Sequence, residues 1–313
     1  MKKISIKFVA TLICATMMLS NGYTQSYVTE ITDPNNSNHP HKRQLNTGLE
    51  VGKIDGNFDV SPAGGAVYNM PLVLPEGING MTPQLAITYN SHAGNGIMGM
   101  GWNLSGLSAI TRTGRTIYHD GVSSPITLET GGANERLMLD GQRLISTSST
   151  LGLEAAEYRT EHESFAKITK TGSNDSRYFT VKTKDGKTIE YGNTANSKTK
   201  TTGSGGETVI AWCINKMSDP YGNFIKYDYT QSSTTGEQYI NKIEYGYNNV
   251  TSDVVVGKVE FVYQSRTDNW KSNVSSLSKE VAIKKLLQEV QIYENNSLVG
   301  KYKIGRASCR ERV

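Results

Sequence analysis

Apolar and polar residues alternate with a period of two through much of this 313-residue chain. That spacing puts every second side chain on one face of a β-strand. Gln84-Leu85-Ala86-Ile87-Thr88-Tyr89-Asn90 is such a run, and comparable runs fall at residues 136–139, 142–145, 177–184, 187–191, 208–217, 223–229, 239–245, 258–263, 286–293 and 298–303. Asp140-Gly141 and Asp185-Gly186 each separate two of them, which predicts two-residue hairpin turns. The pattern predicts an all-β chain of many short antiparallel strands in meanders and hairpins.

The densest stretch is 89–112, which contains Gly94-Asn95-Gly96-Ile97-Met98-Gly99 after a strand-like run. This matches the G-x-G-x-x-G spacing of a dinucleotide-binding turn, with Asp120 near the place of a ribose-binding acid. Such a turn needs a helix directly after it, because the helix N-terminus supplies the donors that hold the pyrophosphate. Leu104, Leu107 and Ile110 have helical spacing, but Gly101 and Gly106 would each cost a helix about 1 kcal/mol relative to Ala. No nucleotide cofactor is expected. Gly94, Gly96, Gly99 and Gly101 are expected instead to shape a tight loop that seats Trp102 against Leu104, Leu107 and Ile110. Pro71, Pro75 and Pro83 sit at strand ends, where a missing N–H does least harm.

Composition agrees with strands and turns, since 31 glycines and 17 tyrosines accompany only 36% hydrophobic residues. Charge is legible only after the ends are set aside. Lys2, Lys3 and Lys7 precede the apolar run 8–19, and small residues follow at 20–22. Residues 1–22 therefore read as an export signal, too short to span a bilayer. Ile13 before Cys14 argues against a lipidation site. Residues 304–313 resemble one frame of a sequencing adapter, an assembly scar, so the natural protein is expected to continue past Lys303. The net charge of +4 falls to −1 without the three leader lysines and the tail's net +2. Nucleic-acid binding loses its support. Cys213 is then the one remaining cysteine, which excludes an intramolecular disulfide and a cysteine metal site. Residues 23–49 are polar and read as a linker in which His39 and His41 bind nothing specific, leaving 50–303 as the folded domain.

Between residues 56 and 112 three patterns follow one another: Gly-x-Phe-x-Val-Ser-Pro-x-Gly-x-Ala-x-Tyr, then Pro-x-x-x-Pro-x-Gly-x-x-Gly-Met-x-Pro-x-Leu-x-x-x-Tyr-Asn-Ser, then Gly-Asn-Gly-x-x-Gly-x-Gly-Trp-x-Leu-x-Gly-Leu-Ser-x-Ile-x-Arg. In this order they resemble the N-terminal domain of the SpvB/TcaC family, which includes insecticidal toxin complex B components and Rhs/YD-repeat proteins. Asp219-Pro220-Tyr221-Gly222-Asn223 with Tyr227 and Tyr229 resembles one YD repeat. The resemblance implies a secreted, non-catalytic module that starts a β-shell around a C-terminal effector. It implies as partners the missing C-terminal Rhs/effector region of the same chain and other toxin-complex subunits. Virulence enters only through this resemblance.

SpvB itself carries an ADP-ribosyltransferase, so its elements need a search. Ser146-Thr147-Ser148, Glu161-His162-Glu163 and Arg143 resemble them, but they fall within one hairpin-sized segment, whereas the enzyme needs separate strands around a cleft. Ser146 to Thr150 is expected to be a polar turn, and Glu161 and Glu163 a solvated strand face. The histidines, with His92 and His119 bracketing the glycine loop, show no metal-ligand spacing. The alternative function is a surface module that binds glycan or protein through exposed Tyr and Trp, Trp270 among them.

Overall fold

The computed structural model describes residues 2–5, 55–126, 128, 134–147, 156–201, 208–232, 236–250, 255–275 and 279–305. His39, His41, Ser148, the leader's apolar run and 306–313 lie outside them. The architecture is all-β, as the alternation predicts. Among the described residues α-helix is confined to one turn, Ile117–Asp120.

The first part of the chain forms a small antiparallel sheet. β1 (Lys2–Ser5) stands apart from it, whereas β2 (Asn57–Val60), β3 (Ala66–Pro71), β4 (Ala86–Asn90) and β7 (Trp102–Ser105) pair in that order. Between β4 and β7, β5 (Asn95–Gly96) and β6 (Gly99–Met100) form a two-stranded hairpin. Pro71 ends β3, and the Leu72 amide after it still donates to the Leu85 carbonyl at 2.8 Å.

The middle of the chain closes on itself. β8 (Ala109–Thr113), β9 (Arg136–Leu139), β10 (Gln142–Ser146), β11 (Glu157–Thr160), β12 (Lys167–Thr171), β13 (Tyr178–Lys182) and β14 (Thr188–Tyr191) pair in sequence. After β15 (Lys198–Thr201), β16 (Thr208–Ser218) pairs with both β14 and β8, giving an eight-stranded barrel. Closure removes the edge strands that would otherwise be open to foreign pairing. β16 can serve both neighbours because it is 11 residues long: residues 211–213 face β8, and residues 214–218 face β14.

The barrel's buried face is partly charged. Arg112 and Arg177 both bond Oε1 of Glu135, at 2.6 and 2.5 Å. The same guanidiniums lie 5.4 and 5.5 Å from the ring of Trp212 on β16. Trp212 Nε1 donates to the Arg177 carbonyl at 3.0 Å, and Phe179 meets the indole edge-on at 5.1 Å. Every member of this group is buried. Desolvating two guanidiniums is costly, and the shared carboxylate and the indole face offset that cost.

From β16 the sheet fans outward through β17 (Asn223–Ser232), β18 (Glu237–Asn248), β19 (Gly257–Ser275), β20 (Lys279–Glu294) and β21 (Ser297–Lys303), with β1 parallel to β21 at the far edge. Alternate residues of the fan, including Ile225, Tyr227, Ile243, Tyr245, Val259, Phe261, Val290 and Ile292, are buried in one core with Met70, Leu85 and Ile87 of the small sheet. Tyr302 Oη accepts from the Val73 amide at 3.1 Å and Tyr245 Oη donates to the Pro75 carbonyl at 2.9 Å, tying the small sheet to the fan.

Of the two expected hairpin turns, Asp140-Gly141 forms: both residues have positive φ, 48° and 85°. At Asp185-Gly186 the expectation needs correction. Only Gly186 takes positive φ, and Thr183 N bonds the Lys187 carbonyl at 3.0 Å, so the loop holds three residues with glycine last. Asp185 is not among the residues of positive φ, and its carboxylate is bonded by Thr183 and Lys187.

Glu135→Gln should destabilise the protein by about 3–5 kcal/mol, because it removes the one negative charge that two buried guanidiniums share. Urea unfolding followed by Trp fluorescence measures it; a loss below about 1 kcal/mol would contradict the role given to Glu135.

Candidate functional site

The glycine-rich stretch is followed by a strand, β7, and not by a helix. Gly101 N donates to the Gly94 carbonyl at 3.0 Å and Asn90 N to the Gly101 carbonyl at 2.9 Å, which closes the loop under the β5–β6 hairpin. Gly99 and Gly101 have φ of 103° and 76°, a region closed to most side chains. A Cβ on Gly101 would stand 2.5 Å from the Tyr89 ring, and one on Gly106 only 1.9 Å from the Gln84 carbonyl oxygen. Gly94 and Gly96 keep ordinary φ, and a Cβ on Gly94 would meet nothing.

Trp102 is half-buried, opposite Tyr89 in the β4–β7 ladder with ring centroids 5.1 Å apart, and Tyr68 approaches edge-on at 6.4 Å. Leu104 follows on the same strand face and is buried, while Ile110 belongs to the barrel, opposite Trp212 and Leu139. The ring partners of Trp102 are thus two tyrosines of the small sheet, which spacing along the chain does not reveal.

The hairpin reaches the fan where β19 and β20 part company. Between Ser265 and Trp270 the β19–β20 register breaks. Within that break Arg266 Nη1 donates to the Gly96 carbonyl at 3.2 Å and Asn95 Nδ2 to Asp268 Oδ2 at 3.2 Å, and at the neighbouring register shift of Val262/Tyr263 the Leu287 amide donates to the Ile97 carbonyl at 2.8 Å. Arg266 also holds Asp268, and Met98 is buried beside them. The glycine stretch is a clasp between two sheets. Pro83 is buried close to it, and Pro75 supplies the carbonyl that Tyr245 grips.

The polar residues singled out for chemistry gather at the barrel rim in a shallow depression of about 150 Å³ lined by Thr116, His119, Met138, Arg143, Glu161 and His162, among others. His119 Nε2 meets Glu161 Oε1 at 2.7 Å, and its Nδ1 faces Thr116 Oγ1 at 2.9 Å. Asp120 receives Arg136 Nε at 2.7 Å and Arg143 Nη2 at 2.8 Å. Burial works against the Asp120 carboxylate, but the Thr116 amide and the two guanidiniums outweigh it and hold the group well below the usual carboxylate range. The hydrogen bond from His119 likewise lowers Glu161. Glu163 accepts from the Phe165 amide at 2.5 Å within its own turn. The expected solvated strand face needs correction here: β11 ends at Thr160, and Glu161-His162-Glu163 form the loop after it. Ser146 ends β10 opposite Tyr158 and does not line the depression. His92 packs against Gly65, with its amide on Asn90 Oδ1. Desolvation pushes the Cys213 thiol up to about 11, which removes it as a nucleophile. The one-turn helix that carries His119 was readable but missed: Thr116 caps it and Gly121 ends it at φ 68°.

A family model described as Salmonella virulence plasmid 65kDa B protein matches residues 60–283. Among solved structures, the N-terminal domain of effector protein SpvB from Salmonella typhimurium strain LT2 superposes with a TM-score of 0.56 at 18% identity, covering 72% of this chain and 87% of that one. The Photorhabdus luminescens Tc holotoxin pore matches with a TM-score of 0.59 at 16% identity, covering 76% of this chain and 13% of that one. TcdB2-TccC3-Cdc42 matches with a TM-score of 0.58 at 16% identity, over 74% and 13%. The chain thus spans most of the first structure and a small part of the other two. Comparison with curated proteins found no match.

Gly106→Ala and Gly101→Val should each destabilise by more than about 2 kcal/mol, whereas Gly94→Ala should stay within about 0.5 kcal/mol. Equal losses at positions 94 and 106 in urea unfolding would contradict the clasp geometry. Asp120, Glu161 and Asp268 all titrate below their unfolded values. The stability they contribute is therefore complete above about pH 4.5 and lost as pH falls through the depressed values. Urea midpoints measured from pH 6 to pH 3 should fall below pH 4.5, less steeply in Asp120→Asn; a flat profile would contradict this.

Proposed function

Because this chain belongs to the SpvB family, we propose that it is the non-catalytic, exported scaffold module at the front of a toxin-complex-like protein, presenting or enclosing a C-terminal effector. The observation that carries the reading is the way the polar groups are used. His119 and Glu161 bond each other, Asp120 joins Arg136 to Arg143, and Glu135 joins Arg112 to Arg177. A catalytic constellation needs a base or nucleophile free to meet substrate. Here the same residue types tie the one-turn helix, loops and strands of the barrel to one another.

A closed barrel feeding a broad fan is also a mechanically sensible platform. The barrel has no edge to pair wrongly, and the fan's outer edge, where β1 lies beside β21, is the place from which further sheet can grow. The comparisons support this reading at the level of fold, since a domain of this shape recurs in the SpvB N-terminal domain and in Tc toxin structures. No helix among the described residues is long and apolar enough to cross a membrane.

The test pairs two measurements on the full gene product. Transfer of label from NAD to acceptor protein should stay at background and be identical in Glu163→Ala. Limited proteolysis should leave the region downstream of the module intact while the module is folded and release it when Gly106→Ala unfolds the clasp. Labelling that disappears in Glu163→Ala would replace the scaffold by an ADP-ribosyltransferase; equal cleavage downstream with and without the folded module would remove the enclosing role.

A further inference from the structure

The polar residues at the barrel rim are tied to one another, yet several of their atoms are left over. Arg143 is 7% exposed and spends Nη2 alone, on both carboxylate oxygens of Asp120 at 2.8 Å. Its Nε and Nη1 have no partner among the described residues, and neither is sealed from solvent. Arg143 lines the rim depression, so these donors open onto it. Glu161 gives Oε1 to His119 and keeps Oε2. The ring of His162, the carboxamide of Gln142 and the hydroxyl of Thr113 line the same depression and bond no described residue. A nearly buried cation with unspent donors is costly to leave without a partner.

Four separate pieces of chain bring these atoms together. Thr113 ends β8, the one-turn helix carries His119, Gln142 and Arg143 begin β10, and Glu161 and His162 follow β11. Thr116 Oγ1 and Glu161 Oε1 hold the His119 ring from its two nitrogens. At the margin the Tyr118 ring meets the His119 ring edge-on at 4.7 Å and is 88% exposed. We propose that the depression binds the terminal sugar of a glycan.

Guanidinium N–H groups only donate, an ionised carboxylate only accepts, and a carboxamide, a hydroxyl or an imidazole can do both. A ligand made of hydroxyls matches such a mixed set, because each hydroxyl also donates and accepts. The exposed Tyr118 ring adds a flat apolar surface for the C–H face of the sugar. A small anion finds no net charge here, since Asp120 and Glu161 balance Arg136 and Arg143 when the histidines are neutral. A metal ion finds no group of three ligands among the described residues. Glycosidases of the usual kind need two available carboxyl groups, and Asp120 is taken up by two guanidiniums, so the site holds the sugar without cleaving it. A depression of about 150 Å³ admits one sugar ring, which fits the end of a glycan and not its middle. Side chains held in place beforehand lower the ordering cost of binding. A scaffold module can carry such a site at its rim, and neither role needs the other.

The test applies the full chain to a glycan array and then titrates the monosaccharide shared by the ends of the retained glycans. Glycans with one terminal sugar in common should be retained, and the free monosaccharide should displace them. Gln142→Ala/His162→Ala should bind about tenfold more weakly, the loss of roughly two neutral hydrogen bonds. Trp270→Ala, at an exposed tryptophan of β19 away from the rim, should bind unchanged. Thermal melts confirm that both variants are folded. In the unsubstituted protein the sugar should shift the ring-proton NMR signals of His162, a readout that needs no variant. No glycan retained above background, equal binding by the double variant, unmoved His162 signals, or binding lost in Trp270→Ala would each overturn the proposal. Displacement of the glycans by inorganic phosphate as readily as by the sugar would overturn it in favour of an anion site.

Discussion

Strand β16 belongs to two structures at once, and the rest of the molecule depends on that. Its residues 211–213 close the barrel against β8 and its residues 216–218 begin the fan against β17. An antiparallel strand has only two edges, so an 11-residue strand that changes partners along its length is what lets a closed barrel and an open sheet share one ladder. Trp212 anchors it from the buried face. The indole supplies a broad apolar surface, a donor for the Arg177 carbonyl, and a π-face for two guanidiniums that would otherwise be too costly to bury.

The second connection is the glycine clasp. The small sheet could pack on the fan through side chains alone, but the β5–β6 hairpin adds backbone contacts at the place where β19 and β20 lose register. A register break leaves amides and carbonyls without ladder partners, and those groups must be satisfied from elsewhere. The Ile97 carbonyl takes up the Leu287 amide and the Gly96 carbonyl takes up the Arg266 guanidinium, and the glycines of positive φ nearby let the chain fold tightly enough to reach them.

How much of this was legible in sequence follows from where the apolar alternation is kept. β16, β17, β18 and β21 keep enough apolar alternation that their positions were readable to within a few residues. β11, β12 and β15 were not, because strand faces that bury Thr160, Lys170 and Thr201 look polar in sequence. The far half of β19 was missed for a different reason: residues 264–275 carry no apolar period and are strand only because β20 pairs with them. The prominence of the glycine stretch was visible, but its target was not, since Arg266, Asp268 and Leu287 lie more than 160 residues away along the chain. Separation along the chain also hid the bond from Asn79 to Asp219, 140 residues apart.

If β16 unites barrel and fan, the two should unfold as one cooperative unit. Native-state hydrogen exchange in increasing urea measures this directly. The slowest amides of β8 and β14 in the barrel and of β18 and β20 in the fan should converge on a single opening free energy, equal to that of global unfolding. Exchange of the fan at a distinctly lower free energy while the barrel stays protected would contradict the account.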